Sequence, residues 1–301
     1  MRASTKVMFK KHGWRVDRFI HNYFYFLFYY PYVKAVYHFF RFLATYLSWC
    51  KPLNPVISMA LSRYHSKVLS YGDTKKILTL NENIAATSSL NRQIVPFKYA
   101  YSIIFQEPQH IAVMDCPCKI TLGDKSENIN SCLAVGKGLV SFWLEHGEKY
   151  HARRITQNEA LAIIDRFRKM GYVTQAFFKV ATGGQTGVIC NCHPDTCVSL
   201  QATKFARRFD RDLTMTAPAG YSVRHDESLC KHCGTCARVC PVECIQVVVN
   251  QRRTYDKDAC LGCELCAQHC PHEALSLYRD PDKIAPLDID LVKEEYVQPA
   301  P

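Results

Sequence analysis

Two nearly identical cysteine runs place the strongest constraint on how this chain can fold. The first, CKHCGTCARVCP, spans 230–241, and the second, CLGCELCAQHCP, spans 260–271. Both follow the spacing C-x2-C-x2-C-x3-C-P and repeat at an interval of 30 residues. The repeat extends beyond the cysteines, because Asp226 matches Asp256. Thiols grouped this tightly in a long chain indicate metal or cluster ligands rather than a disulfide framework.

The spacing predicts which cysteines share a centre. Three cysteines separated by two residues surround one face of a cubane [4Fe-4S] cluster, whereas the cysteine before proline ligates the other cluster. Thiolate is a soft ligand that suits iron–sulfur centres. Cluster one is therefore expected to use Cys230, Cys233, Cys236 and Cys270. Cluster two is expected to use Cys260, Cys263, Cys266 and Cys240.

Residues 223–280 resemble the two-cluster [4Fe-4S] ferredoxins of bacteria. The segments SVRHD, IQVVVN and ALSLYRD are similar to the short strands of that fold. One cysteine of this region has no place in the ligand pattern, since Cys244 aligns with Ala274 in the repeat. We interpret Cys244 as a small buried apolar residue.

Six further cysteines fall within residues 91–220, which we predict to form an α+β domain. They make two C-x-C pairs, each followed by a lone cysteine: Cys116, Cys118, Cys132, Cys190, Cys192 and Cys197. If the strands ending in IAVMDCPC and VICNC are neighbours, one site collects all six. Cys118 and Cys192 are equally compatible with a supporting or structural role. His193, between Cys192 and Cys197, is interpreted as a loop residue rather than a ligand.

Three interpretations of these six cysteines stay open. A third [4Fe-4S] cluster would take four of them. A structural zinc site would also take four, although zinc usually prefers C-x2–4-C spacing to C-x-C. Redox-active or merely buried thiols are the third interpretation. Cys50, alone in the N-terminal part, is interpreted as structural.

The order of motifs resembles a group of ferredoxin-like 4Fe-4S proteins of anaerobic bacteria. The stretch CPCK…C…EALAIIDRFRKMGYV…ICNC…C…DESLCKHCGTC carries the resemblance across residues 94–280. It implies a cysteine domain of the form CxC…C…CNC…C in front of a dicluster ferredoxin. Family members often have Arg after the first C-x-C and more cysteines after CNC, where this chain has Lys119 and HPDTC.

The middle domain also has the element order of a winged helix. We predict a helix, then a second helix headed by the capping box TQNE at 156–159, then strand, turn and strand. An α+β, winged-helix-like domain is therefore expected, with an iron–sulfur-sensing regulator as one alternative function. Arg166, Arg168 and Lys169 are more typical of a solvated helix face than of a DNA-reading one. The pattern does not favour nucleic-acid binding.

The first 76 residues carry the whole net charge of the chain. They contain thirteen Lys and Arg against two acids, and the full chain has a net charge of +11. Residues 19–50 contain fifteen aromatic residues, but Lys34 and Arg41 would each cost roughly 2.5–3.5 kcal/mol in a membrane span. A polar helical stripe joins Lys34, His38, Arg41, Thr45 and Ser48. Such a stripe beside aromatic residues predicts a helix on an anionic membrane surface, or one docked on the protein's own core or a partner subunit.

Together these features predict an α+β chain with four segments. They are a basic aromatic helical arm (1–76), the cysteine domain (91–220), a dicluster ferredoxin domain (223–280) and a tail (281–301). The predicted function is relay of single electrons through two [4Fe-4S] clusters and a third centre to redox protein partners. The alternative is an oxidoreductase whose middle centre reduces a substrate. No nucleotide-binding motif or secretory signal stands out, and the thiols suit a reducing cytoplasm, with the arm on the inner face of the cell membrane.

Overall fold

In the computed structural model, seven strands of the described residues join in one central sheet. The structure describes residues 20, 24, 27–61, 64–86, 88–95, 103–179, 187–210, 213–247 and 253–295. In spatial order the strands are β6 (Arg153–Ile155), β4 (Ile111–Asp115), β5 (Asn130–Val135), β8 (Val188–Cys192), β7 (Val173–Lys179), β1 (Tyr64–Val68) and β9 (Thr216–Ala217). Neighbouring strands are antiparallel except β1 and β9, which are parallel.

The central strands are buried on both faces of the sheet. Every residue of β4 and β8 is buried. Because side chains alternate along a strand, β4 sends Ala112 and Met114 to one core and Ile111 and Val113 to the other. A strand covered on both faces has a continuous apolar run rather than an alternating pattern, as IAVMD does.

Helices cover both faces. Those in the first part of the chain are α1 (Tyr29–Tyr46), α2 (Asn54–Leu61), α3 (Tyr71–Leu78), α4 (Ser88–Ile94), α5 (Pro117–Leu122), α6 (Lys137–His146), α7 (Gln157–Lys169) and α8 (Val198–Ala206). Buried residues of α3, α4 and α7 pack on one face, and those of α1, α6 and α8 pack on the other. The N-cap bond of the predicted capping box forms, since the Thr156 hydroxyl accepts a hydrogen bond from the Glu159 backbone N–H at 3.1 Å, whereas the Glu159 carboxylate pairs with Arg153. A small sheet of β2 (Ile84–Ala85) and β3 (Ile104–Phe105) lies beside α4.

The mixed α+β class is confirmed, but the winged-helix-like arrangement is not. Strands β7 and β8 pair as the predicted strand–turn–strand requires, and the expected turn, ATGGQT, lies outside the described residues. Beyond this pair, β8 continues into β5 and β7 continues into β1. The sequence also predicts a helix over 93–105, but its last two residues form β3. Strand β5 was not predicted; it pairs with β4, the strand before it in the chain, and with β8.

Parts of the predicted arm and of the predicted tail pack together with the central sheet and its helices. Strand β1 and helix α3 belong to the predicted arm, yet β1 lies inside the sheet. Lys67 of β1 is fully buried, and its ammonium group donates to the Ala285 carbonyl at 2.6 Å. Helix α11 (Ile289–Glu295), in the predicted tail, packs against α3 and β2. Part of the basic N-terminal segment therefore belongs to the folded core, where burial holds the pKa of Lys67 well below its usual value.

The two halves of the C-terminal unit have the same backbone arrangement. Strand β10 (Tyr221–His225) pairs with β13 (Leu275–Arg279), and β11 (Ile245–Val247) pairs with β12 (Arg253–Tyr255). The short helices α9 (Thr235–Arg238) and α10 (Leu265–Gln268) lie inside the two cysteine runs. Asp226 donates its backbone N–H to Ala274, and the matching Asp256 donates to Cys244. The sequence repeat is thus also a repeat of hydrogen bonds.

Helix α1 docks on the core through one face only. Tyr29, Val33 and Ala44 are buried, and the Tyr37 ring lies 5.8 Å from the Phe205 ring of α8. This agrees with the alternative in which the aromatic helix docks on the protein's own core. Within the described ranges, the longest and most apolar helices still fall short of what a membrane crossing requires.

Candidate iron–sulfur centres

The four cysteines expected at cluster one meet at one cavity. Cys230, Cys233 and Cys236 of the first run line it together with Cys270, the last cysteine of the second run. Cys233 is exposed and the other three are half-buried. The fold therefore brings together, across the two runs, the thiols that the spacing groups.

The cysteines expected at cluster two are more deeply buried. Cys260, Cys263 and Cys266 are all buried, and Cys240 is half-buried. Cys240, Cys260 and Cys266 belong to one apolar cluster with Val223, Ile245 and Leu275. Burial is the main reason that the pKa of the Cys263 thiol is raised to about 12. Burial therefore opposes ionisation of the Cys263 thiol unless a metal compensates the charge.

Cys244 lies between two of these cysteines. It is buried, as expected, but its Sγ also lies 3.4 Å from Sγ of Cys240 and within hydrogen-bonding reach of Cys260. The hydrogen bond from Cys244 is the main cause that lowers the pKa of each of these two thiols to about 6. This role was missed, although a cysteine where the repeat has alanine was a signal for it.

The second cysteine run is docked against the rest of the chain. Arg168 of α7 donates from Nη2 to the Cys263 carbonyl at 2.7 Å and from Nε to Oε1 of Gln268 at 2.8 Å. Two hydrogen bonds of 2.8 Å add to this contact. The Tyr71 backbone N–H donates to the Glu264 carboxylate, and the Ala219 backbone N–H donates to the Leu261 carbonyl. The interpretation of Arg168 as part of a solvated face is wrong, since only 3% of the residue is exposed.

The second run also packs closely against β10 of its own unit, at Gly262. Gly262 has φ +66°, and a Cβ on it would lie 2.4 Å from the Tyr221 carbonyl oxygen. The matching residue of the first run, His232, has φ +50° and carries a side chain. The same backbone turn thus needs glycine only where it packs against another segment.

All six cysteines of the middle domain line a second cavity. Cys132 of β5 and Cys190 of β8 face each other in register, with their Sγ atoms 3.4 Å apart. Cys116 follows β4, Cys192 ends β8, and Cys197 precedes α8. Five of the six are buried and Cys118 is half-buried. His193 is not among the lining residues; its ring packs 5.0 Å from the Tyr172 ring.

A buried lysine supplies positive charge beside this cavity. The Lys119 side chain lies under the Phe167 ring, with Nζ 3.8 Å from the ring centre. Nζ donates to the Asn128 carbonyl at 2.9 Å and to the Ser131 hydroxyl at 2.8 Å. Hydrogen bonds from Cys118 and Cys132, followed by the Lys119 charge, lower the pKa of the Cys116 thiol. Cys116 is therefore a favoured position for negative charge.

The expected ligands at each site are all cysteines, which bears on what each site can hold. Each cavity gathers thiols, the ligand type of iron–sulfur clusters. Among the described residues, no group of three or more His, Cys, Asp or Glu is arranged around the position of a single metal ion. That finding applies to the two cysteine runs as much as to the middle cavity.

These features define a protein with iron–sulfur ligand sets of the ferredoxin type. Residues 221–277 match the family model of the 4Fe-4S dicluster domain. The C-terminal unit is therefore a ferredoxin-like 4Fe-4S domain, and its family supports [4Fe-4S] clusters as cofactors and iron–sulfur electron transfer as the general function. No curated protein matches the chain.

Replacing Cys244 by alanine tests whether this thiol is a ligand. We expect Cys244→Ala to keep the iron and sulfide content of the wild-type protein, because Ala274 occupies the equivalent position. Cys240→Ala is the matched comparison and should lose iron, since it removes an expected ligand. Equal iron loss in the two variants would make Cys244 a ligand of cluster two.

A matched pair of glycines tests the close packing of the second run on β10. An alanine at either position has a positive φ, which costs about 1–3 kcal/mol; Gly262→Ala should destabilise the folded chain by more than this, because its new Cβ also meets the Tyr221 carbonyl. Gly234→Ala is the control: Gly234 has φ +73°, but the nearest atom to its new Cβ is Nη1 of Arg238, at 3.4 Å. The difference in free energy of unfolding between the variants, measured by denaturant titration, reports the contact. Equal losses would contradict this close packing.

Proposed function

We propose that the chain is an electron-transfer protein in which two [4Fe-4S] clusters exchange single electrons with a third centre in the middle domain. Each cluster would be held by the cysteines assigned to it from the spacing. One observation carries the proposal: Leu261, Cys263 and Leu265 of the second run share a buried core with the middle cysteines. Packed apolar contact without intervening solvent is what a short path between cluster two and the middle centre requires.

The other end of the path would lie at cluster one. Cys233 is exposed, whereas Cys260, Cys263 and Cys266 are buried. Leu229, beside Cys230, is 46% exposed. A redox protein partner would therefore exchange electrons at cluster one, and cluster two would relay them inward.

We propose a third [4Fe-4S] cluster as the middle centre, held by four of the six cysteines, with zinc as the alternative. The absence of histidine among the lining residues and the C-x-C spacing suit a cluster better than a zinc knuckle. Burial of five of the six thiols favours electron relay over substrate reduction, because a substrate needs access to the metal.

Helix α1 supports a proposed attachment to an anionic membrane surface. The side chains that do not dock form two adjacent exposed stripes. One is aromatic, with Phe39, Phe42, Tyr46 and Trp49 between 54% and 76% exposed. The other carries Lys34, His38 and Arg41, and α1 contains no acidic residue. Aromatic and basic stripes side by side are typical of a helix in the membrane interface.

Iron analysis of the purified full chain, prepared without oxygen, tests the electron-transfer proposal. We expect about twelve irons per chain for three cubanes, with reducible signals in low-temperature EPR. Replacing both Cys132 and Cys190 by serine should leave about eight, because the two residues face each other in the middle cavity. Cys50→Ser is the control and should change nothing. Eight irons with zinc in the wild-type protein would overturn the third cluster, and a protein without reducible clusters would overturn the function.

Vesicle binding tests the membrane attachment. The full chain should bind vesicles of phosphatidylcholine mixed with phosphatidylserine more tightly than vesicles of phosphatidylcholine alone. Replacing Lys34 and Arg41 by glutamine should weaken binding to the anionic vesicles by roughly thirtyfold, from about 1 kcal/mol for each basic residue. Serine at Phe39 and Phe42 should weaken binding to both kinds of vesicle.

The control for these variants is Met170→Ser, which removes an apolar side chain that is 43% exposed elsewhere on the surface. It should leave vesicle binding unchanged. Wild-type protein that stays in solution with both kinds of vesicle would overturn the membrane proposal without affecting the electron-transfer one.

A further inference from the structure

Arg253, the first residue of β12, has two unpartnered hydrogen-bond donors at cluster one. Its side chain lines the cavity together with Cys230, Cys233, Cys236 and Cys270. The Nε and Nη2 atoms are buried, and neither has a hydrogen-bond partner among the described residues. A buried donor without a partner is costly, and more so when the group is charged. Two such donors in one guanidinium therefore indicate an acceptor that belongs in the cavity.

The surroundings hold the guanidinium in place. It lies over the Tyr255 ring, with its carbon 5.0 Å from the ring centre. It also lies within hydrogen-bonding reach of the Cys236 thiol, one of the expected ligands of cluster one. His225 lines the same cavity, and its Nε2 atom is likewise buried without a partner. Side-chain nitrogens without hydrogen-bond partners among the described residues thus converge on this cavity from β10 and β12.

The repeat shows that this feature is specific to cluster one. At the interval of 30 residues, Arg253 matches Val223 and His225 matches Tyr255. Val223 is buried in the apolar cluster that contains Cys260 and Cys266. The Tyr255 hydroxyl accepts a hydrogen bond from the Val223 backbone N–H at 3.2 Å. Cluster two therefore has an apolar side chain where cluster one has a cationic donor.

We propose that Arg253 donates hydrogen bonds to cluster one and raises its reduction potential. This inference rests on the proposed function, in which cluster one is a resident [4Fe-4S] cluster. Reduction adds one electron, so a fixed positive charge and N–H donors stabilise the reduced cluster more than the oxidised one. Net charge and hydrogen bonds to sulfur are among the factors that set the potentials of such clusters.

The test is an EPR-monitored redox titration of the loaded full-length protein. In Arg253→Met, the midpoint potential of one of the two ferredoxin-domain clusters should fall by at least about 59 mV. For a one-electron couple this is a tenfold decrease in the equilibrium constant for reduction. Arg253→Lys, which keeps the charge, should recover part of that shift. Arg224→Met is the matched control, because Arg224 is an exposed arginine of β10 that does not line the cavity. It should leave both midpoints within threefold of wild type.

Each outcome decides the inference. Equal shifts in Arg253→Met and Arg224→Met, or a fall of both midpoints together, would overturn it. If Arg253→Met loses iron from cluster one, the comparison moves to Arg253→Lys and Arg253→Gln; wild-type midpoints in both would also overturn it. Wild-type protein without two titrating clusters in the ferredoxin domain would instead overturn the proposed function.

Discussion

The buried guanidinium of Arg168 holds the two halves of this molecule together. It reaches from α7 in the middle domain to the backbone of the second cysteine run, where it meets the Cys263 carbonyl and the Gln268 side chain. Glu264 lies 3.8 Å from the same guanidinium. Removing such a cation from water is costly unless its donors find acceptors. Two of its nitrogens, Nη2 and Nε, find them in the cysteine loop, while Nη1 has no partner among the described residues. The shared core of Leu261, Cys263 and Leu265 with the middle cysteines depends on this arrangement.

The C-terminal unit shows how one backbone repeat can make two different sites. Both halves have the same left-handed turns, at His232 and Gly262 and again at Glu243 and Glu273. The side chains at matched positions then differ according to what each half faces. Gly262 permits close packing, whereas His232 at the matching position faces a more open region. Cys244 contacts two thiols, whereas the matching residue, Ala274, has no thiol. The symmetry lies in the main chain, and the specificity of each cluster site lies in the side chains.

The same contrast explains what the sequence could predict. The eight ferredoxin cysteines could be grouped because their spacing is local and the chemistry of a cubane demands it. The N-cap at Thr156 and the strands β4, β7 and β8 were also predictable, because each depends on a local sequence pattern. Strand β1 was assigned to an arm because its neighbours in the sheet, β7 and β9, lie more than a hundred residues away. Arg168 was interpreted as a solvated charge because a sequence does not show which acceptors are buried beside it.

The C-x-C pairs of the middle cavity could be predicted from the sequence, but the strand that brings Cys132 to them could not. C-x-C places two thiols on one face of a strand, as in Cys190 and Cys192 of β8, because side chains alternate. What the pattern does not fix is the neighbouring strand, and here β5 brings Cys132 opposite Cys190. Six thiols in one buried place can be held together only if most stay protonated or a metal and a cation balance their charge. Lys119, buried with its ammonium group satisfied by Asn128 and Ser131, is a fixed cation in the right place for that balance. The position after the first C-x-C pair thus carries a structural cation of the site rather than a solvated surface charge.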